Sequence, residues 1–80
     1  MNVIEEVINI IKEISAGEEI ELTDSLQSDV SLDSLGMVTL LLEIEDVFEI
    51  VLNESDMDPF NLTTVEDVVK LVERYLSEEE

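Results

Sequence analysis

Apolar residues recur at helical spacing in three blocks of the chain, and stretches without a sustained period separate these blocks. The first block has aliphatic residues three or four positions apart, namely Ile4, Val7, Ile8, Ile11 and Ile14. Asn2 with Glu5 three positions later is a typical helix start, and Gly17 is a typical helix end. The block therefore predicts a first helix between Asn2 and Gly17.

The second block is the most apolar part of the chain, and it predicts a helix from Ser34 to about Ile50. Residues at helical spacing form its expected buried face, and others widen that face: Val38, Leu41, Ile44 and Phe48, then Leu40, Val47 and Val51. A helix this apolar lies centrally in a core or keeps part of its surface for a partner, and we expect both.

The third block predicts a last helix that starts at Thr63, with Glu66 three positions later completing a capping box. Its apolar face consists of Val65, Val68, Val69, Val72 and Leu76. Before it, the run from Asp56 to Phe60 predicts a turn and a short helix, because Pro is tolerated in a first helical turn. Residues 16–33 predict a long loop whose apolar side chains anchor it to the helices.

These elements predict an all-α fold. We expect a small four-helix bundle with three main helices, one short helix and a long loop between helices 1 and 2. Since 80 residues suffice for one small domain, residues 1–80 are expected to form a single domain.

The charge of the chain limits the kinds of partner that it can bind. It has 22 acidic and 3 basic residues and a net charge of -19, whereas binding to nucleic acid requires many Lys and Arg side chains. Basic protein surfaces are the expected partners, and self-repulsion favours a monomer. The chain has no Cys, so any thioester must form on an added group. Because no apolar run is long enough to cross a bilayer and no signal-peptide pattern is present, we expect a cytoplasmic protein without membrane attachment.

Ser34 lies at the predicted start of the most apolar helix, directly after Asp33. Asp is a favoured N-cap, since its carboxylate accepts hydrogen bonds from the following amides and so determines where Ser34 points. A helix start has free N–H groups and a partial positive charge, which makes it a favourable place for a phosphate ester. The same carboxylate is suited to help hold a divalent ion while such an ester forms.

The stretch from Leu26 to Leu35, which ends in Leu-Asp-Ser-Leu, resembles the attachment site of acyl carrier proteins. The resemblance covers nearly the entire chain and implies that a phosphopantetheinyl transferase moves 4′-phosphopantetheine from coenzyme A to Ser34. The thiol of this arm would carry acyl groups as thioesters for fatty-acid, polyketide or related specialised biosynthesis. A second Asp-Ser-Leu triplet contains Ser25, but polar residues follow it instead of an apolar helix, which favours Ser34 as the attachment site.

The resemblance also implies which residues contact enzymes. Leu35, the apolar residue after the serine, contacts partners in this family, and the flexible thioether of Met37 suits partner contact or packing. Glu45 and Asp46 match acidic positions that dock basic patches of acyl-transferring, synthase or ligase enzymes. Val38 is the better candidate for the core.

Three positions depart from the family's pattern. Ser31 stands where glycine is usual, which bears on the flexibility of the loop before the site. Gly36 and Thr39 stand where members of fatty-acid synthesis more often have acids, and this difference favours a dedicated pathway.

Other functions remain open at this point. Asp56 and Asp58, with neighbouring polar residues, are compatible with weak divalent-ion binding, but the spacing lacks the central Gly and the closing Glu of an EF-hand loop. The chain has no His that could activate Ser34, so we interpret it as a non-enzyme. An aminoacyl or D-alanyl carrier would use the same arm for a different cargo. An acidic helical interaction module would have no cofactor.

Overall fold

The structure is a computed structural model that describes residues 2–15, 19–56 and 62–78. It contains the α-helices α1 (Val3–Ser15), α2 (Ser34–Phe48) and α3 (Val65–Glu78), and a 3-10 turn at Glu54–Asp56. The all-helical class is therefore confirmed. The described residues hold three α-helices, so the fourth helix is not confirmed, and most of the run that predicted it, residues 57–60, lies outside them.

Helix α1 begins where the sequence predicts. The Glu5 N–H donates to Asn2 Oδ1 at 3.1 Å, which satisfies one of the free amides of the first turn. Val7, Ile10 and Ile11 are buried, so one apolar face of α1 packs into the core. Gly17, the predicted end of the helix, lies outside the described residues.

Helix α2 ends at Phe48, two residues before the predicted end. Glu49 adopts the left-handed conformation, with φ 55° and ψ 46°, and its N–H donates to the carbonyl of Glu45. The chain therefore turns away from the helix axis. Ile50 and Leu52 then return to the core, whereas Val51 is exposed, so its predicted place on the buried face is wrong.

Four core residues of α2 lie on the face that the sequence predicts, whereas Met37 is buried in place of Val38. The core residues of α2 are Met37, Leu40, Leu41, Ile44 and Phe48. Met37 is 1% exposed, whereas Val38 is 39% exposed, so the assignment of Val38 to the core is wrong. The reason is geometric, because Met37 shares a helical face with Leu41, Ile44 and Phe48, and Val38 lies about 100° away from it.

The start of α3 is also shifted by one residue from the prediction. The Asp67 N–H donates to Thr64 Oγ1 at 3.3 Å, and Asp67 Oδ2 accepts the N–H groups of Thr63 at 3.0 Å and Thr64 at 3.1 Å. The capping box is therefore Thr64 with Asp67, and the prediction of Thr63 with Glu66 is wrong. Glu66 instead pairs with Lys70 at 3.2 Å on the exposed side of α3.

The described part of the long connection, residues 19–33, is anchored to α3 and the core. The Leu26 N–H donates to the Thr63 carbonyl at 2.9 Å, and the Val65 N–H donates to the Asp24 carbonyl at 3.1 Å. Leu26, Val30 and Leu32 are buried, which confirms that the apolar residues of this loop are anchors. As a result, the loop that leads to Ser34 is attached to the bundle. None of the helices in the described part of the chain has the length and hydropathy needed to span a bilayer.

Candidate functional site

Ser34 is the first residue of α2 and is exposed. Asp33 directly before it is the N-cap, with φ −86° and ψ −176°, and its Oδ1 accepts the Gly36 N–H at 2.7 Å. The Asp33 carbonyl accepts the Met37 N–H at 2.9 Å, which is the first hydrogen bond of the helix. Asp33 therefore holds both ends of the first turn and determines the position of the Ser34 hydroxyl.

The site fits a phosphate ester because of its backbone donors. The first turn of α2 carries no acidic side chain, so the Asp33 cap is the carboxylate beside the partial positive charge of the helix start. The Gly36 N–H donates to the Asp33 side chain, and the first N–H that donates to a carbonyl of the helix is that of Met37. The N–H groups of Ser34 and Leu35 come earlier and have no acceptor within the helix. These two amides are the donors that remain for a phosphate on Ser34 Oγ.

The residues around the cap are packed closely. A Cβ at Gly36 would lie 3.2 Å from Asp33 Oδ1 and 3.2 Å from Leu32 Cδ2, so a larger residue there would displace the cap. The Leu32 N–H donates to the Leu26 carbonyl at 2.8 Å and fixes the approach to the helix. Ser31 has φ 63°, a left-handed conformation that glycine adopts without steric cost. The departure at Ser31 thus places a strained residue three positions before the candidate site.

Ser25, the serine of the second triplet, has a different environment. It is half-buried, its Oγ accepts the Ser28 N–H at 3.2 Å, and its own N–H donates to Asp29 Oδ2 at 2.8 Å. It also pairs with Thr64 in an isolated β-bridge. Its hydroxyl therefore stabilises a turn of the connection.

The residues predicted for partner recognition fall into different environments. Leu35 is 74% exposed and Asp46 is exposed, so both are accessible to a partner. Met37 is buried in the core, so of the two roles that the sequence left open for it, packing and partner contact, the structure supports packing. Glu45 is half-buried and its Oε2 accepts the Leu52 N–H at 2.8 Å, so this side chain holds the segment after α2.

Part of the apolar surface of α2 is exposed, as the sequence predicts, but Leu42 and Val38 were not predicted to belong to this exposed strip. Leu42 is 53% exposed, and it lies on the same side of the helix as Leu35 and Val38. The spacing of these three residues, at i, i+3 and i+7, was readable from the sequence. Apolar residues at this spacing, beside a second set that forms the buried face, are the sequence pattern that identifies an exposed apolar strip.

A shallow groove of about 490 Å³ lies between the end of α1 and the first half of α2. It is lined by Glu13 and Ile14 from α1, and by Asp33, Leu35, Gly36, Thr39 and Glu43 from the helix start and α2. Two of its lining residues, Asp33 and Leu35, are the chain neighbours of Ser34. The groove therefore begins beside the candidate attachment site.

Asp56, one of the two residues of the suggested divalent-ion site, is engaged in a different network. It accepts the Tyr75 hydroxyl and pairs with Arg74 at 2.8 Å, while Tyr75 Oη accepts the Asn53 N–H at 2.9 Å. The Tyr75 hydroxyl, and then Arg74, hold the pKa of Asp56 below its ordinary value. Asp58 lies outside the described residues, and within them no group of three or more acidic side chains could hold a metal ion. The described structure therefore gives no ligand set for the suggested ion.

Comparison with known proteins identifies relatives of the chain. A family model described as a phosphopantetheine attachment site matches residues 2–72. An acyl carrier protein of Coprothermobacter proteolyticus is 36% identical over 76 residues, which covers 92% of this chain and 90% of the relative. An acyl carrier protein of Exiguobacterium sibiricum is 40% identical over 55 residues, which covers 69% of this chain and 67% of the relative.

A solved structure supports the same relationship. A chain from Mycobacterium tuberculosis that carries the assignment of acyl carrier protein superposes with a TM-score of 0.83 at 29% identity. The match covers 92% of this chain and 99% of that one. The similarity in fold thus extends over the same share of this chain as the similarity in sequence to the Coprothermobacter proteolyticus protein.

Proposed function

Because the chain belongs to the acyl carrier protein family, we propose that it carries acyl intermediates as thioesters on a 4′-phosphopantetheine arm attached to Ser34. Members of this family are carriers, not enzymes, and phosphopantetheine is their cofactor. The arm supplies the thiol that this chain, which has no Cys, does not contain. The protein supplies the attachment point and the surface that enzymes recognise.

One observation carries the choice of Ser34. Its hydroxyl is exposed at the first position of α2, beside two helix-start amides and a well-formed Asp33 cap. The hydroxyl of Ser25, in contrast, accepts a backbone N–H inside the connection. Attachment at Ser34 leaves the fold intact, whereas attachment at Ser25 would replace a hydrogen bond of the loop that anchors α3.

The attachment is a transfer in which Ser34 Oγ attacks the phosphorus that bears pantetheine in the diphosphate of coenzyme A. A P–O bond to Ser34 forms, the P–O bond to the adenosine bisphosphate breaks, and the serine proton passes to a base of the transferase. This chain offers no His for that proton. Its own contribution is to hold the serine, to stabilise the new phosphodiester through the amides of the first turn, and to offer the Asp33 carboxylate to a divalent ion.

The partner enzymes are expected to present basic surfaces. A net charge of -19 raises the encounter rate with such surfaces. The exposed acids Glu43 and Asp46 lie on the helix that starts at the attachment site, and the exposed acid Glu49 follows its end. A phosphopantetheinyl transferase is the first of these partners, followed by acyl-transferring, synthase or ligase enzymes. Gly36 and Thr39, which replace acids on this helix, favour a dedicated pathway of specialised acyl biosynthesis.

Intact mass spectrometry tests the proposal directly. The purified chain is incubated with coenzyme A, Mg²⁺ and a broad-specificity phosphopantetheinyl transferase, beside Ser34→Ala and Ser25→Ala as matched variants. We expect one addition of phosphopantetheine to wild type and Ser25→Ala, and none to Ser34→Ala. Circular dichroism checks that each variant is folded. Lack of addition to folded wild type would contradict the proposal and would favour a cofactor-free interaction module.

A second experiment separates acyl cargo from aminoacyl cargo. The holo protein is incubated with ATP and either an acyl-activating ligase with fatty acids or an adenylating enzyme with amino acids. Thioester formation with the fatty acids, lost on treatment with hydroxylamine, is the expected result. Loading by amino acids alone would identify an aminoacyl or D-alanyl carrier.

A further inference from the structure

We propose that the groove between α1 and α2 is a docking site for the pantetheine part of the arm, so that the arm lies along the protein when no partner is bound. The inference rests on the proposed function, because it requires attachment at Ser34. The groove begins at the neighbours of that serine, Asp33 and Leu35, and continues to Thr39 and Glu43. A tethered group is thus present at high effective concentration at this surface.

The size of the groove matches the arm. Its volume of about 490 Å³ is within the range of about 300–1,000 Å³ that is usual for sites of small organic ligands. Glu43 lies nine residues after Ser34, which corresponds to about 14 Å along the helix axis. The arm has about thirteen bonds from phosphorus to sulfur, and at the advance per bond of an extended chain it reaches about 15 Å. It can therefore follow the groove along its whole length.

The chemistry of the lining suits pantetheine in the order in which its groups occur. The geminal dimethyl group next to the phosphate is apolar, and Leu35, the lining residue of α2 next to Ser34, has an exposed apolar side chain. The two amides of the arm come later, and each has an N–H donor. The carboxylates of Glu13 and Glu43 and the lone pairs of the Thr39 hydroxyl are acceptors for them.

Gly36 and Thr39 keep the groove open. The Thr39 hydroxyl donates to the Leu35 carbonyl at 2.9 Å, which holds this short side chain against its own helix. A longer side chain at Thr39 would project into the space between α1 and α2, and a side chain at Gly36 would first displace Asp33 and Leu32. The departures from the family's pattern on α2 thus coincide with the groove beside Ser34.

Two other parts of the protein are less suitable as binding sites for the arm. The core is filled by fully buried side chains, among them Leu41, Ile44 and Val68. A second hollow of about 530 Å³ is lined by side chains that include Asp56, Lys70 and Arg74, and its lining contains no residue of α2. The groove at α1 is the space that begins next to the attachment point.

Amide chemical shifts of apo and holo protein test the docking. The probe is the arm itself, attached to ¹⁵N-labelled wild type by the transferase, and intact mass confirms complete attachment. We expect shift changes at Gly36, Thr39 and Glu43 and, across the groove, at Glu13 and Ile14. Changes confined to residues 33–36, or changes at Lys70 and Arg74 instead, would overturn the inference. Lack of attachment would contradict the proposed function and is recognised separately by mass.

The Thr39→Leu variant adds a second readout, because leucine fills the groove while Ser34 remains available. We expect the arm's thiol to react at least twofold faster with an aromatic disulfide reagent in holo Thr39→Leu than in holo wild type. Thr23→Leu, at an exposed position outside the groove, is the matched control and should react like wild type. Equal rates in all three proteins would refute the docking.

Two charge-reversal variants test the docking independently, in case the Thr39→Leu substitution perturbs α2. Glu43→Lys replaces an acceptor of the groove by a donor, and Glu73→Lys makes the same change at an exposed position of α3. Faster thiol reaction in Glu43→Lys alone supports docking in the groove. If the thiol reacts faster by the same factor in both variants, the change in overall charge explains the rate, and docking in the groove is refuted.

Discussion

The Asp33→Ala variant is the most direct test of how the fold prepares the site. It removes the 2.7 Å hydrogen bond from the Gly36 N–H and the negative charge at the start of α2. Loss of a side-chain cap costs about 1 kcal/mol. Loss of a charge that complements the helix dipole adds about 0.5 kcal/mol. We therefore expect the free energy of unfolding to fall by about 1.5 kcal/mol, which corresponds to a Tm lower by about 6–12 °C for a domain of this size.

The matched control is Asp33→Asn, because asparagine caps a helix as well as aspartate but carries no charge. Its expected cost is about 0.5 kcal/mol, or a Tm lower by about 2–4 °C. Thermal melts followed by circular dichroism measure both variants. The salt concentration is physiological, since general charge repulsion is then screened beyond about 8 Å and does not hide the loss of the cap.

The same variants separate two roles of Asp33 in attachment. If Asp33 acts only by ordering Ser34, kcat/KM for phosphopantetheine transfer falls about tenfold in Asp33→Ala and about twofold in Asp33→Asn, in proportion to the lost free energy. A much larger and equal loss in both variants identifies a carboxylate that holds the divalent ion. A Tm of Asp33→Ala equal to that of wild type would refute the argument that this cap holds the helix start.

Three further predictions follow from the described contacts. Tyr75→Phe removes the hydroxyl that joins Asp56 and the Asn53 N–H, and chemical denaturation should show a loss of about 2 kcal/mol. The pKa of Asp56 is lowered in the folded protein, so the ionised carboxylate stabilises the fold fully above its ordinary pKa of 3.8, and this stabilisation is lost as the pH falls below 3.8. The difference in free energy of unfolding between wild type and Asp56→Asn should therefore shrink only below that pH. Ser31→Gly relieves a left-handed conformation and should raise the free energy of unfolding by about 0.5–1 kcal/mol.

Each of these has a clear contrary result. A cost below about 0.5 kcal/mol for Tyr75→Phe, the size of a surface contact, would show that the hydroxyl does not hold the segment after α2. A difference between wild type and Asp56→Asn that changes between neutral pH and pH 5 would assign the effect to other carboxylates. A lower stability of Ser31→Gly would show that the serine side chain contributes more than its backbone conformation costs.

Elements with strong periodicity were predictable from the sequence, and their exact faces were not. The cap at Asn2, the start of α2 at Ser34 and the burial of Leu26 and Leu32 follow from local chemistry and spacing. The rotation of α2 that buries Met37 and exposes Val38 depends on how α2 packs against α1 and the rest of the core. In a helix that is apolar on nearly every side, spacing alone does not select the buried stripe.

At the candidate site, the serine, its cap and the acidic character of the surface were predictable from the sequence, because each of these depends on neighbours within a few positions. Tertiary structure alone decided that Glu45 supports the Leu52 amide and that Asp56 pairs with Arg74 and Tyr75. It also decided that a groove opens between α1 and α2 beside Ser34. These features join side chains from distant parts of the chain, and their meeting depends on how the helices pack.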